Sequence, residues 1–417
     1  KRPYGLFLFF LILTSIRLQT NNKVLISRIE IEGNTKTKDF IIHREIRHPI
    51  NGLIDSAKIN QDINRLENLG LFSGVSWDII SLEDSTAILK YLVKESIQKT
   101  PPTVFPTYNE NKGWSLNTLW LLNNFRGRNQ LLTISGSIGG EDTYGISFND
   151  PWIFNNHISF SLNISRNLFK HRFLNRDVDL NRLKIGFGKW FGDNIKTSIA
   201  ISLESKEFSN QKEPILFKYI DIHTIIKYDS RDIYWNPGKG ILFNHSIQYI
   251  EGYKVDNLIW DQSYSFYFRL NRPKKKTIIA LNGSLKQKLG YRNKFWQNYI
   301  GSSNTIRGWP IPDYKTYENE PYRFGHEYLH ASIEYRYEII PKYITTYGIE
   351  SGLVIVLFTD IGYMLNNWPE RLIMNGTGIG VRTPFPLVGV LRLDFGIGAL
   401  KNKWNSGSFH FGIGQKF

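Results

Sequence analysis

The sequence predicts a membrane all-β protein: a 16-stranded antiparallel transmembrane β-barrel preceded by one small α/β domain of order β-α-α-β-β. Three observations predict it. Aromatic residues make up 14% of the 417 residues, yet mean hydropathy is only −0.30. From about Gly113 to Phe417 the chain is a series of alternating segments separated by Gly, Asn, Asp and Pro, with no convincing helix. Residues 24–95 have a different texture, with helical periodicity in their middle.

The composition narrows the possibilities further. Many aromatics with a polar average suits a wall whose lipid-facing and lumen-facing residues alternate, girdled by aromatics at both interfaces. There is no cysteine, which excludes a disulfide framework and a Cys-based metal site. The net charge of +15 is spread along the chain rather than blocked. It suits contact with anionic lipid headgroups at least as well as with nucleic acid.

The first residues, "KRPYGLFLFFLILTSIRLQTNN", begin with Lys1 and Arg2 and continue with an apolar core from Gly5 to Leu13. The stretch is too short to span a bilayer and is expected to be a signal peptide over 1–22, a short anchor being the alternative. Export of an aromatic-rich chain points to an outer membrane.

The small domain is expected over 24–96. "VLISRIEIEGN" is a strand ended by Gly33-Asn34, and Thr37 to Arg47 is read as a helix. Ile59, Ile63, Leu66 and Leu69 recur at helical spacing, with Asp55 or Ser56 as cap and Gly70 as C′ glycine. "LFSGVSWDIISL" and "STAILKYLVKE" are two further strands. Residues 97–112, with the run "QKTPPTVFP", are expected to be a linker, and 113–417 the barrel. At about 20 residues per strand and connection this length gives about 16 strands, an even number.

The alternation is clearest in "LHASIEYRYEI", where His330, Ser332, Glu334 and Arg336 share one face and Leu329, Ala331, Ile333, Tyr335 and Tyr337 the other. In the last segment Phe409, Phe411, Ile413 and Phe417 share one face, and His410, Gly412, Gly414 and Lys416 the other.

On these motifs the chain resembles the BamA/TamA superfamily of outer-membrane assembly and translocation proteins. "IEIEGNTKTKDFIIHREI" and "RLENLGLFSGV" resemble one POTRA domain. "IRGW" resembles the (V/I)-R-G-(F/Y) signature of the family's sixth extracellular loop, with Trp309 in place of Phe or Tyr. "ASIEYRYEI" and "VLFTDIGY" resemble the two strands after it, "YDSRDIYWNPGKG" a mid-barrel element, and "GIGVRTPFPLVGVLRLDFGIG" and "FHFGIGQKF" the last three strands. One POTRA domain stands where the assembly factors have several.

The resemblance implies a structural latch. The loop 300–310 is expected to fold back into the lumen, so that Ile306, Arg307, Gly308 and Trp309 meet Glu334, Phe358, Asp360 and Gly362. A planar guanidinium can serve two carboxylates. It also implies a closing seam between a first strand near "GWSLNTLWLL" and a last one carrying Phe409, Phe411, Gly412, Gly414 and Phe417.

Other signals are discounted. "HEYLH", His326 to His330, fits H-E-x-x-H with Glu350 as a distant third ligand. Zinc chemistry needs both histidines on one helical face, whereas His330 opens a period-two segment, so no metal is expected. "GTGIG" at Gly376 is too short for a nucleotide fingerprint and is read as glycines that let the wall bend. Asp229, Arg231 and Asp232 are read as a salt-bridge cluster, and "NRPKKK" (271–276) as a basic turn on the POTRA side.

No catalytic residue and no cofactor are expected. The resemblance implies an assembly factor that captures unfolded polypeptide by POTRA strand addition and helps insert it at the seam. A two-partner-secretion translocator and a structural or lipid-handling barrel remain open. The implied partners are unfolded outer-membrane or secreted polypeptides, outer-membrane lipids, and accessory lipoproteins or periplasmic chaperones, without nucleic acid.

Overall fold

The computed structural model describes residues 24–82, 86–96, 102–109, 113–154, 158–171, 173–210, 213–270, 276–345, 350–365, 372–385 and 389–417. The expected signal segment, most of the basic run 271–276 and part of the expected linker lie outside them.

The N-terminal domain has the expected order. β1 (Leu25–Glu32), α1 (Asp39–His43), α2 (Ser56–Asn68), β2 (Phe72–Ser81) and β3 (Thr86–Glu95) form a sheet of order β1-β3-β2, parallel at β1-β3 and antiparallel at β3-β2. Ile59 and Leu66 of α2 pack on Ile26, Leu89 and Tyr91 of the sheet. Asp55 caps α2 by accepting from the amides of Ala57 and Lys58, and Gly70 takes the left-handed conformation just past its end (φ +68°). In β1 a bulge at Ser27 breaks the register, so Ile26 and then Ile29 and Ile31 can all face the core.

Helix α1 is shorter than the expected Thr37–Arg47. Asp62 accepts from the amides of Arg47 and His48, drawing that segment out of the helix, and Pro49 disfavours helical backbone at His48.

The barrel begins ten residues earlier than expected. β4 (Thr103–Asn109) pairs antiparallel with β5 (Gly113–Phe125), and the wall closes with the last strand beside β4. The Pro-rich run is therefore in part a strand. Pro106 lacks a donor, which argues against a strand when read from sequence alone, yet it pairs with Leu116 within β4. Among the described residues the wall has seventeen strand segments. The pieces Lys403–Trp404 and Ser408–Ile413 both pair with Gly389–Leu400, so they share one position and the wall counts sixteen. Outward residues such as Ile333, Leu357, Leu393, Phe409 and Phe411 are exposed, whereas Glu334, Asp360, Asp394 and His410 face inward and are buried.

The loop between the strands Thr277–Gly290 and Tyr328–Ile344 is held at its base by aromatic packing. Phe295 lies 4.6 Å from Phe208, and Phe324 lies 5.0 Å from Phe173, between ring centroids. It also contains a short helix, α3 (Tyr314–Asn319), capped by Asp313. Six residues are too few to show periodicity in the sequence.

At the other end of the barrel the N-terminal domain docks on the wall's turns. Lys38 N–H donates to the Gly127 carbonyl at 2.9 Å, and Asn124 Nδ2 donates to Thr37 Oγ1 at 2.8 Å. Gly127 (φ +71°) is needed because a Cβ would lie 2.1 Å from the Lys36 carbonyl oxygen. Arg44 stacks over Trp152, Arg47 pairs with Asp193, and a cavity of about 580 Å³ lies between the two parts.

The docking segment is held from behind by Glu95, whose carboxylate accepts from Thr35 Oγ1, the amides of Lys36 and Thr37, and Thr37 Oγ1. Burial pushes this carboxyl up, but the hydrogen bonds from Thr37, Thr35 and Lys36 outweigh it and leave it below its usual value. A lowered folded value means its stabilisation is complete above the unfolded value, about 4.3, and is lost as pH falls through the folded one. Glu95→Gln is expected to speed hydrogen exchange at the Lys36 and Thr37 amides at pH 7. The gap between variant and wild type should close on acidification; a gap that widens would contradict this account.

Candidate functional site: a buried arginine seated on the barrel wall

The segment Ile300–Pro310 lies inside the barrel. Ser302 N–H donates to the Ile306 carbonyl, and Ser302 and Thr305 share a hydroxyl hydrogen bond, which tightens the turn before Arg307. Ile300, Ile306 and Trp309 pack with Met364 and Met374.

Arg307 is completely buried. Its Nε donates to Asp360 Oδ2 at 2.8 Å and its Nη2 to Asp360 Oδ1 at 2.9 Å, a two-pronged pair. Its Nη1 donates to Glu334 Oε1 at 2.6 Å and to Asp394 Oδ2 at 3.3 Å. Its backbone N–H adds a bond to Asp360 Oδ2 at 2.9 Å. The guanidinium carbon lies 3.6 Å from the Phe358 ring centroid, so one face of the cation rests on an aromatic. The three carboxylates come from three wall strands, Tyr328–Ile344, Glu350–Met364 and Gly389–Leu400.

Further cations balance these carboxylates. Arg336 Nε donates to Glu334 Oε2 at 2.8 Å, Arg382 Nη1 to Asp394 Oδ1 at 2.6 Å, and Lys416 Nζ lies 2.9 Å from Asp360 Oδ1. Every carboxylate therefore meets at least two cations.

The wall is carved to receive the loop. A Cβ on Gly376 would stand 1.7 Å from the Arg307 carbonyl oxygen, one on Gly396 2.9 Å from the Gly308 nitrogen, and one on Gly398 2.5 Å from Trp309 Nε1. Gly308 has φ +87°, and its own Cβ would strike the Ile397 carbonyl carbon at 2.6 Å. Trp309 Nε1 donates to the Asn375 carbonyl at 2.8 Å, Asn405 Nδ2 donates to the Gly308 carbonyl at 2.8 Å, and Gly308 N–H donates to His410 Nε2 at 2.9 Å.

Of the residues singled out in sequence, Ile306, Arg307, Gly308, Trp309, Glu334, Phe358 and Asp360 are brought together. Gly362 is not: it faces inward on the same strand as Asp360, but a Cβ there would meet Leu329 and His330 rather than the arginine. Phe409 and Phe411 are outward on the last strand. Phe417 is not, because the strand ends at Ile413 and the chain turns at Gly414 (φ +84°). Arg336 lies 5.4 Å from the Phe417 ring centroid. Gly412 makes room for a side chain, since a Cβ there would lie 2.7 Å from the Arg392 guanidinium. Likewise the glycines at 376–380 seat the loop and its partners rather than merely bending the wall.

Asp394, Arg382 and Asn405 escaped the sequence reading, and His410 and Lys416, read there only as one face of the last segment, were not assigned to the arginine. The inward parity of "RLDFG" and "FHFGIGQKF" was the available signal. Asp229 and Arg231 pair, and Asp232 meets Arg269. His330 sits on a strand and Glu350 pairs with Lys342 at 3.0 Å, so the H-E-x-x-H residues and Glu350 do not converge. Among the described residues no group of three or more His, Cys, Asp or Glu is arranged to hold a metal ion.

Comparison with known proteins agrees with this fold. Residues 124–417 match the Omp85 superfamily domain, and residues 24–96 match a POTRA model described as a surface antigen variable number repeat. The chain belongs to the Omp85 superfamily. It is 24% identical over 429 residues to the outer membrane protein assembly factor BamA of Nitratidesulfovibrio vulgaris, covering 96% of this chain and 52% of that protein. It is 29% identical over 143 residues to BamA of Neorickettsia risticii, covering 34% of this chain and 19% of that protein. The Omp85 chain thus spans about half the length of the first of these relatives. Its fold is similar to BamA from Haemophilus ducreyi lacking POTRA domains 1–3 (TM-score 0.56, 16% identity, 93% of this chain and 83% of that one). It is also similar to CdiB from Escherichia coli (TM-score 0.60, 12% identity, 94% and 75%).

The loop's seat makes two substitutions comparable. Arg307→Ala strands carboxylates in the lumen and is expected to cost roughly 3–5 kcal/mol. Gly376→Ala changes no charge but drives a methyl into the Arg307 carbonyl. Both should lower the temperature at which the folded barrel converts to the unfolded form on semi-native gels. A Gly376→Ala barrel as heat-resistant as wild type would show that the loop is not seated there.

Proposed function

We propose that this Omp85 protein is an outer-membrane protein assembly factor, inserted in the outer membrane with its POTRA domain in the periplasm. It captures unfolded polypeptide by strand addition and helps fold and insert it at the barrel seam. No bond chemistry is assigned to it. The observation that carries the reading is the shortness of the closure. The last wall position is broken into two pieces, Lys403–Trp404 and Ser408–Ile413, the longer of only six residues, and β4 has seven, against seventeen in Tyr328–Ile344. Six residues rise about 20 Å, less than the roughly 25 Å apolar band of such barrels. A broken, short ladder at this line gives the wall few hydrogen bonds to lose, and a bilayer thinned beside it would lower the barrier to inserting a new strand there. Pro106 leaves the short β4 with one backbone donor fewer.

The POTRA sheet supports the capture step. β3 is central, and β1 is partly covered by the segment Asn51–Leu53. β2 is the edge left for an incoming extended chain, which would gain backbone hydrogen bonds with little sequence demand.

Arg307 and its carboxylates serve here as a latch that fixes loop and wall while the seam works. A dedicated translocator of two-partner-secretion type is the rival. It would pass its client through the lumen, which loop 6 and its ion pairs occupy. Depletion of the protein in its host, followed by quantification of every outer-membrane barrel, tests the choice. A general fall in barrels is expected. Loss of one secreted protein with the other barrels intact would overturn the assembly reading in favour of the translocator.

A further inference from the structure

The strand that closes the barrel is tied to the arginine seat at two points. His410, fully buried, accepts through Nε2 from the N–H of Gly308, the residue directly after Arg307. Beyond the turn at Gly414 the chain enters the lumen. There Lys416 Nζ lies 2.9 Å from Asp360 Oδ1 and donates to Ser332 Oγ at 2.7 Å and the Thr305 carbonyl at 2.5 Å. Gln415 Nε2 donates to the Trp235 carbonyl at 2.7 Å, across the lumen.

Asp360 Oδ1 is thus shared. Arg307 Nη2 reaches it at 2.9 Å, and Lys416 reaches it at the same distance. Thr305, which receives Lys416, lies two residues before Arg307 in the same turn. Moving the loop out of the lumen would strip Lys416 of an acceptor and alter the carboxylate it holds. Moving the closing strand away would take His410 from Gly308 and Lys416 from Asp360.

We infer that loop 6 and the closing strand are one cooperative element, with Lys416 the positioning residue that couples them. The seam strand cannot leave its neighbour while the loop stays seated at full strength, and the loop cannot unseat without loosening the strand. Coupling of this kind is reciprocal and worth about 5–150-fold in an equilibrium. The inference holds whatever client the barrel serves, so it does not depend on the assembly reading.

Hydrogen exchange followed by mass spectrometry on the full chain in micelles tests it, because the amides of Arg307 and Gly308 are themselves bonded to Asp360 and His410. In folded Lys416→Gln, exchange in 300–310 is expected to rise at least about fivefold, with residues 24–96 unchanged. Lys416→Arg, which keeps a cation within reach of Asp360, should restore slow exchange. A role confined to packing the tail would speed exchange at 414–417 alone. Unchanged exchange in 300–310 would therefore overturn the inference. If Lys416→Gln yields no folded barrel, the wild type decides. At high pH, where exchange follows opening, peptides 300–310 and 408–413 should gain mass in one step at one rate. Two separate rates would overturn the coupling.

Discussion

A guanidinium with no access to water must find acceptors in its own plane, and Arg307 takes them from three separate staves of the barrel. Burying a charge costs several kcal/mol unless it is paired and hydrogen-bonded. A well-made buried pair often does little better than break even against an apolar packing. The value of the arrangement lies in its geometry. Because Asp360, Glu334 and Asp394 must all reach one planar cation, the loop has one position, and the strands bearing those carboxylates have one mutual register around it.

The rest of the lumen follows from this placement. Five cations, Arg307, Arg336, Arg382, Arg392 and Lys416, stand around three carboxylates. The surplus positive charge is met by aromatic faces: Phe358 under Arg307, and Tyr267 and Phe417 near Arg336. Space is the second consequence. A loop backbone laid against a strand leaves no room for side chains between them, and Gly376, Gly396 and Gly398 supply none. The glycines that look like weak points of the strand ladder are the sites where a second backbone approaches most closely.

What the sequence made legible follows the same physics. Period-two alternation is a local property, so the wall and the polar face carrying Glu334 could be read directly, whereas Asp360, on a face shared with Val354, Val356 and Phe358, was placed only by the family resemblance. The helix Ser56–Asn68 announced itself through Asp55 and Gly70, because capping is also local. Asp394 and Lys416 could not be assigned to the arginine, since parity says that a residue faces the lumen but not what it meets there. β4 was hidden by Pro106, whose meaning depends on whether a strand is central or at a closure. The grouping of Phe417 on one face with Phe409 and Phe411 failed because alternation was extended past Gly414, where a positive φ turns the chain after the strand ends. Helix α1 was overestimated because Asp62, fifteen residues from Arg47 in sequence, competes for its amides.

On the proposed assembly role, the same contacts bear on where a client would travel. Loop 6 fills the lumen with Ile306, Arg307 and Trp309, all buried, and residues 414–417 cross beside it to reach Trp235 and Arg336. A polypeptide threading the lumen would have to displace a fully buried ion-pair network, exposing carboxylates and guanidinium groups together. A polypeptide adding at the closure meets only six residues of ladder on one side and seven, one of them proline, on the other. The barrel is therefore strongest through its middle and weakest along one line of its wall. Under the proposed assembly role, a partner that brings its own strand would replace lost ladder bonds as it breaks them, which would make the seam the lower-cost route for a client destined to become β-sheet.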